Sequence, residues 1–311
     1  MNQPKNRILI LGQARSGSTY LKNCLNDNSS FYIINEPLAP GLTKEVRYGK
    51  TDILRLTSRP DGGTRPHMGF PGKKGMSIMS DEDLKRIFID ANGNTHLYWE
   101  GLWKKYLEIT YGKYNNIGMK LFWNHQPHKI DVNIYGRSEP PEGYWLDEYV
   151  VKHIFPKFNK FVLLRRPLKE FIFSRVKSLA SNIWGTANRF ETKEFYPTWD
   201  DYASGLCKWS GGSINPEKSV LIKSVVRYHV GAELFANYVQ NNLKSFVLDY
   251  NNIDFKGLSN YLETDVHDSP FLGYKKIEYD IDKWLKDNDE FQAIYEEVQE
   301  KLFQLQKQDT F

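Results

Sequence analysis

Residues 7–26 read RILILGQARSGSTYLKNCLN, and this stretch decides the fold. The apolar run 7–11 ends at Gly12, which is typical of a strand buried in a parallel sheet. Residues 18–26 then carry apolar side chains at helical spacing, and a second apolar run follows at 31–34. A strand, a loop, a helix and a strand make a βαβ unit, and such units build parallel sheets.

Strand and helix patterns alternate along the rest of the chain. We therefore predict one α/β domain over residues 1–311, with a P-loop-like parallel β-sheet flanked by helices. Loops are inserted into it, one of them at about 40–76, and a C-terminal helix closes the chain. The further strands are predicted at 117–123, 160–164 and 246–250, and the further helices at 80–93, 95–109, 147–155, 167–184, 220–241, 255–262 and 281–306.

The composition excludes several classes of protein. A hydrophobic content of 40% and a charged content of 26% allow a sizeable core. The net charge of +4 is too small to indicate a nucleic-acid partner. The chain has two cysteines, Cys24 and Cys207, which exclude a disulfide framework and a structural zinc site. With no signal-peptide pattern and no apolar run of about 18 residues, we expect a cytoplasmic protein without a membrane span.

The loop between the first strand and the first helix has the features of a phosphate site. Its backbone N–H groups can converge on one anion, and the helix adds its positive dipole end. Gly12 and Gly17 have the spacing of the triphosphatase loop G-x-x-x-x-G-K-[ST], but Ser18 replaces the lysine. A different cation, Arg15, lies within the loop and can fork onto two oxygens of one anion. Hydrolysis of ATP or GTP is therefore disfavoured, whereas phosphate binding is expected.

A second anion site is expected where residues 161–176 read FVLLRRPLKEFIFSRV. A buried strand brings Arg165 and Arg166 to its carboxyl end, where ligands bind in open α/β sheets. Pro167 then occupies the first position of a helix, and Ser174 follows Arg166 by eight residues, about two helical turns. The alternative is a pair of surface arginines that cap the sheet through ion pairs.

Together these two segments resemble the sulfotransferase family. Members carry a loop of the type [K/R]-[S/T]-G-[S/T]-T for the 5′-phosphosulfate, and a strand ending in Arg, with a Ser about eight residues later, for the 3′-phosphate. The resemblance implies that the co-substrate is 3′-phosphoadenosine-5′-phosphosulfate, that the product is adenosine 3′,5′-bisphosphate, and that no metal is needed. The matching residues are Arg15, Ser16, Gly17, Ser18 and Thr19 in the loop, and Arg166 and Ser174 after the strand.

Further segments look most like the bacterial carbohydrate sulfotransferases. These are the doubled arginine, NEPL at 35–38, GMK at 118–120 followed by His125, and VLDY at 247–250. The resemblance implies that the acceptor is a hydroxyl of a carbohydrate or glycoconjugate. The chain departs from the family in much of 40–75, 130–145 and 185–220, where the acceptor would be recognised.

The resemblance also implies roles for the co-substrate residues. The hydroxyls of Ser18 and Thr19 would bind the 5′-phosphate, and Arg166 and Ser174 would bind the 3′-phosphate with assistance from Arg165. Sulfuryl transfer is an in-line displacement, and Arg15 with the loop amides would stabilise the charge that develops.

The acceptor hydroxyl needs a base. Glu36 is the first candidate, because it follows the second strand at the edge that holds the phosphate loop. His125 is the alternative base, and Lys120 is a candidate contact to the sulfuryl group or the acceptor.

Three other functions stay open on the sequence alone. They are a P-loop-type small-molecule kinase, a nucleotide-binding module without catalysis, and a glycosyltransferase that uses a sugar nucleotide. The basic loop 59–76 suits a lid, an acceptor rim or a solvated loop. The amphipathic C-terminal helix suits either a homodimer or closure of the core.

Overall fold

The sheet observed in the structure is parallel throughout, as predicted. The computed structural model describes residues 4–12, 17–34, 81–92, 94–123, 146, 148–181, 195–209, 217–268 and 279–308. Within these ranges five strands pair in the order β2-β3-β1-β4-β5. The strands are β1 (Asn6–Gly12), β2 (Phe31–Ile34), β3 (Asn116–Phe122), β4 (Lys160–Arg165) and β5 (Ser245–Asp249). The predicted insertion at 40–76 lies outside the described residues.

Helices flank the sheet and follow the predicted pattern in most places. Around residues 147–155, however, the regular helix that we predicted is replaced by a π-type turn, Val150–Ile154, and a short 3₁₀ turn, Phe155–Lys157. The Phe155 N–H donates to the Val150 carbonyl, and Pro156 has no N–H with which to continue the ladder. The described helices are α1 (Ser18–Asp27), α2 (Asp81–Ala91), α3 (Thr95–Thr110), α4 (Leu168–Ser181), α5 (Trp199–Trp209), α6 (Lys218–Asn242), α7 (Phe255–Leu262), α8 (Ile281–Lys286) and α9 (Asp289–Gln308).

Both faces of the sheet are buried, which explains the unbroken apolar run of β1. Ile8 and Ile10 face α1 and α7, where they join Leu21 and Leu258 in one cluster. Leu9 and Leu11 project to the opposite face, and pack with the aromatic residues of α3 and the second half of α6. A strand with two covered faces has no polar side to alternate with.

A third cluster lies among helices α4, α5, α8, α9 and the first half of α6. The single C-terminal helix predicted at 281–306 is wrong, because the chain turns between α8 and α9. The Asn288 carbonyl accepts the amides of Phe291 and Gln292, at 3.1 Å and 3.0 Å, and the Asn288 amide group donates to the Trp284 carbonyl at 2.8 Å. Trp284 and Phe291, one from each helix, then stack in the cluster with ring centroids 4.9 Å apart.

The strand order creates a crevice at one edge of the sheet. The chain leaves β1 towards β2 on one side, and leaves β4 towards β5 on the other. The carboxyl ends of these two central strands lie side by side, with Gly12 next to Leu164. Loops that diverge from neighbouring strands leave a crevice between them, and ligands of open α/β sheets bind there. The two segments singled out in the sequence follow these two strands.

Candidate functional site

The phosphate loop joins β1 to α1, and the structure describes its second half. Gly17 is the N-cap of α1 and has a left-handed backbone, with φ 82° and ψ 7°. Its carbonyl accepts the Leu21 amide at 3.0 Å, which begins the helical ladder. Ser18 is buried in the first turn and Thr19 is half-buried. The first amides of α1 therefore have no helical acceptor and point towards the crevice, together with the positive end of the helix dipole. Arg15 and Ser16 lie outside the described residues.

A buried lysine provides a cation beside this loop. Lys120 lies on β3, next to Ile10 of β1, on the face of the sheet covered by α1. It is 1% exposed, and its Nζ donates to Thr19 Oγ1 at 3.1 Å. The Nζ also lies 5.2 Å from the centre of the Phe122 ring. A neighbouring strand thus brings an ammonium group to the first turn of α1, in a loop that lacks the lysine of the triphosphatase motif.

The second cation, Arg166, follows β4 and lies over an aromatic ring. Its guanidinium carbon is 4.2 Å from the centre of the Tyr250 ring, and its Nε is 3.5 Å from Glu170 Oε2. Burial lowers the pKa of Arg166 from its usual value, while Tyr250 and Glu170 act in the opposite direction. Glu170 stands in the first turn of α4, where a carboxylate is favoured by the helix dipole.

Arg165 points to the other side of the sheet. Its guanidinium pairs with Glu233 at 2.5 Å, and donates to Asn237 at 3.2 Å and to Gln240 at 3.0 Å, all on α6. Consecutive residues of a strand project to opposite faces, so the doubled arginine cannot present both side chains to one ligand. The structure therefore does not bring Arg165 together with Arg166. Arg165 instead forms an ion pair with the neighbouring helix.

Ser174 lies on α4, two turns after the end of β4. It is partly buried, and its carbonyl accepts the Ser178 hydroxyl at 2.7 Å. The helix begins at Leu168 rather than at Pro167, whose carbonyl accepts the Phe171 amide at 2.9 Å. The two candidate bases, Glu36 and His125, lie outside the described residues, as does the basic loop 59–76.

Sequence reasoning missed the contribution of Tyr250 and of the turn around it. Residues 247–250 were predicted as a strand that resembles the carbohydrate sulfotransferases, with no role for Tyr250, yet the Tyr250 ring contacts both Gly17 of the phosphate loop and Arg166. Asn251 follows it and donates to Glu170 at 2.5 Å, so the turn after β5 also contacts the start of α4. The available signal was position: an aromatic residue directly after a strand lies at the edge where ligands bind.

A buried polar cluster behind this edge was also missed. The Arg175 guanidinium lies 3.5 Å from the centre of the Tyr228 ring, between α4 and α6. His229 is fully buried beside it, and burial, together with the nearby Arg175 charge, lowers the pKa of this imidazole well below its usual value. His229 is therefore neutral at pH 7, and packs edge-to-face against Phe171 with ring centroids 4.4 Å apart.

The described residues contain neither a metal cluster nor a membrane helix. No group of three or more His, Cys, Asp or Glu side chains is gathered among them in a way that suits a metal ion. Among the same residues, none of the helices combines the length and the apolar character needed to cross a bilayer.

These features define an α/β protein of P-loop-like fold with cations near the ends of β3 and β4, the two strands that flank β1. No protein-family model and no curated protein matches the chain. Among solved structures, the chain is similar to the sulfotransferase domain from the Synechococcus PCC 7002 olefin synthase, with 14% sequence identity and a TM-score of 0.39. The match covers 91% of this chain and 88% of that one. At this identity and TM-score, function has to be argued from the residues of this chain.

Proposed function

We propose that this chain is a sulfotransferase that moves a sulfuryl group from 3′-phosphoadenosine-5′-phosphosulfate to a hydroxyl of a carbohydrate or glycoconjugate. One observation carries the proposal: Lys120 on β3 and Arg166 after β4 lie on the two sides of the end of β1, at the crevice. The Lys120 side chain is 1% exposed, and that of Arg166 is 12% exposed. Two partly desolvated cations flanking one crevice suit a ligand with two separate anionic groups, and this co-substrate has one on C3′ and one on C5′ of a single ribose.

The phosphate loop would hold the phosphosulfate end. Its amides, the hydroxyls of Ser18 and Thr19 and the ammonium of Lys120, which contacts Thr19, would be the donors to it. The acceptor hydroxyl attacks sulfur, the bond between sulfur and the bridging oxygen breaks, and adenosine 3′,5′-bisphosphate leaves. Negative charge grows on the bridging oxygen as that bond breaks, and preorganised cations stabilise it more in the transition state than in the bound co-substrate. Arg15 would add to this effect from the first half of the loop.

The far end of the co-substrate would bind at the end of β4. Arg166 is the cation there, and Ser174 is the hydroxyl donor in the second turn of α4 that follows. Glu36 would take the acceptor proton, with His125 as the alternative base, and neither step calls for a metal. Arg165 is left out of this proposal because its donors are engaged by α6.

Thermal unfolding with three nucleotides tests the co-substrate. A ligand at about 100 times its dissociation constant adds about 2.7 kcal/mol to the folded state, which raises the unfolding midpoint by several degrees. We expect adenosine 3′,5′-bisphosphate to give the largest rise, adenosine 5′-phosphate a smaller one, and ATP with Mg²⁺ none beyond the monophosphate. Arg166→Gln should reduce the bisphosphate effect to that of the monophosphate, while Arg86→Gln, on the exposed side of α2, should leave it unchanged.

The opposite result would favour the kinase. Lys120 gives the phosphate loop a cation from a neighbouring strand, so the missing loop lysine does not by itself exclude ATP. Stabilisation by ATP with Mg²⁺ and not by the bisphosphate would overturn the sulfotransferase proposal.

Turnover separates an enzyme from a binding module. Release of adenosine 3′,5′-bisphosphate from the phosphosulfate is measured with a panel of carbohydrate hydroxyl acceptors, and Glu36→Gln should abolish it without loss of bisphosphate binding. Normal turnover by that variant would assign the base to another residue, with His125 next. Bisphosphate binding with no turnover on any acceptor would indicate the non-catalytic module.

A further inference from the structure

We propose that Tyr250 is a positioning residue that sets the distance and orientation between the two anion sites. The inference rests on the proposed function, since it concerns how one nucleotide spans both sites. Tyr250 follows β5, and its ring makes contact with each site: its Cδ2–Cε2 edge meets Gly17 of the phosphate loop, and Arg166 lies over its face.

The contact with Gly17 is close enough to require a glycine. A Cβ atom added there would lie 2.5 Å and 2.6 Å from Cδ2 and Cε2 of the Tyr250 ring, well inside van der Waals contact. The ring therefore packs directly on the bare Cα of Gly17. Gly17 also has a positive φ of 82°, so this one position combines the left-handed turn into α1 with the seat of the ring.

The contact with Arg166 restrains the guanidinium. The guanidinium carbon lies 4.2 Å from the centre of the ring, at the distance of a cation–π contact. The five N–H donors of arginine have a fixed arrangement in one plane, so restraining the group over a ring also restrains the directions of its donors. The 3′-phosphate would meet donors whose direction is already set.

The ring is itself held by backbone and side-chain hydrogen bonds. The Tyr250 amide donates to the Arg165 carbonyl at 2.9 Å, which extends the β4–β5 pairing by one residue. The next residue, Asn251, donates through its backbone N–H to Asp249 at 2.7 Å and through its side chain to Glu170 at 2.5 Å. Because Glu170 also pairs with Arg166, the turn after β5 and the start of α4 together hold Tyr250 and Arg166 in contact.

One aromatic ring therefore holds Arg166 at a fixed position relative to the phosphate loop. The two phosphates of adenosine 3′,5′-bisphosphate sit on one ribose, so their separation varies little. A rigid spacing between the two sites lowers the cost of ordering the protein around this ligand, and adenosine 5′-phosphate gains nothing from it. Tyr250 should therefore contribute to the preference for the bisphosphate over the monophosphate, even without a hydrogen bond to either phosphate.

The test compares the dissociation constants of the two nucleotides, measured by calorimetry. Tyr250→Leu should weaken the bisphosphate about tenfold, the upper range of a desolvated cation–π contact, and change the monophosphate less than about threefold. Tyr250→Phe keeps the ring and should retain the wild-type ratio. In an Arg166→Gln background, Tyr250→Leu should add little, because the two residues act through one contact. Tyr250→Met repeats the comparison with an unbranched side chain if the Leu variant does not fold.

Tyr261→Leu is the matched control. The Lys160 Nζ lies 4.7 Å from the centre of the Tyr261 ring. Lys160 begins β4, so this pair lies at the amino end of that strand, away from the crevice. The substitution should lower stability and leave the ratio of the two dissociation constants unchanged. Equal losses for both nucleotides in Tyr250→Leu, or an unchanged ratio, would reduce Tyr250 to a structural role and overturn the inference. Failure of the wild-type protein to bind the bisphosphate would overturn the proposed function, and the inference with it.

Discussion

Two cations near the strand ends, Arg165 and Lys120, differ in what holds them. Arg165 is satisfied by one carboxylate and two amide groups of α6, which is the environment of a structural ion pair. Lys120 is more deeply buried and donates to a hydroxyl, Thr19 Oγ1, at the mouth of the phosphate loop. A buried ammonium group at the first turn of α1 suits the phosphate end of the proposed co-substrate.

Lys120→Met should therefore separate stability from binding. We expect the ligand-free protein to remain folded, because methionine is an unbranched apolar chain of similar length that fills the same space. Binding of adenosine 5′-phosphate should weaken by about tenfold to a hundredfold, the equivalent of a hydrogen bond from a charged group. Urea unfolding and calorimetry measure the two effects, with Lys223→Met on the exposed face of α6 as control. A variant with lower stability and normal nucleotide binding would show that Lys120 only fastens α1 to β3.

At the scale of elements, local patterns predict the fold wherever local physics decides it. The strand at 31–34 and the helix at 255–262 have the predicted limits. Asp254 caps the latter by accepting the Gly257 amide at 2.8 Å, and Glu263 ends it with a left-handed φ of 51°. The break between α8 and α9 was not predicted, because the amphipathic pattern runs through it and the stop depends on hydrogen bonds made by Asn288.

Helix α5 was missed although its start carries a sequence signal. Thr198 and Asp201 form a reciprocal cap: the Thr198 hydroxyl accepts the Asp201 amide at 3.2 Å, and the Asp201 carboxylate accepts the Thr198 amide at 2.9 Å. This is the capping-box spacing with Asp in place of Glu.

Thr198→Ala should cost about 1 kcal/mol of unfolding free energy, the usual loss for a cap of this kind. Binding of the bisphosphate should not change, because α5 packs in the third cluster, with α4 and α9, away from the crevice. Urea unfolding of the Ala variant beside Thr198→Ser, which keeps the hydroxyl, measures the effect. Equal stability of the wild type and the Ala variant would mean that packing alone holds the start of α5.

The candidate site was predicted in its local parts and missed in its long-range ones. Gly17, Ser18 and Arg166 lie in short segments, and the order of residues within each segment is enough to predict its chemistry. Arg165 was expected to assist Arg166, but its guanidinium contacts α6, and these long-range partners are not visible in the local sequence. Tyr250 is different: only the packing of β5 beside β4 brings its ring to Gly17, and no spacing along the chain predicts that contact.

At the scale of the whole molecule, the site depends on three strands that end at one edge. Segments 17–21, 166–171 and 249–252 are remote in sequence and meet only because β1, β4 and β5 are adjacent and parallel. Tyr250 contacts both Gly17 and Arg166, and these contacts link the three segments. A ligand that engages both the phosphate loop and Arg166 should therefore reduce local opening in all three segments together.

Hydrogen exchange measured by mass spectrometry tests that coupling. Adenosine 3′,5′-bisphosphate should slow exchange in the three segments at the same ligand concentration, whereas adenosine 5′-phosphate should slow it chiefly in 17–21, where the 5′-phosphate would bind. Peptides from α9, which lies in the third cluster, serve as the internal control and should change with neither nucleotide. Slowed exchange in 17–21 alone with the bisphosphate would place the end of β4 outside the nucleotide site, and the cation at Arg166 would then need another ligand. Simultaneous protection that disappears in Tyr250→Leu, but not in Tyr250→Phe, would identify the aromatic ring as the physical link, because that pair of variants differs in the ring and not in the backbone that carries it.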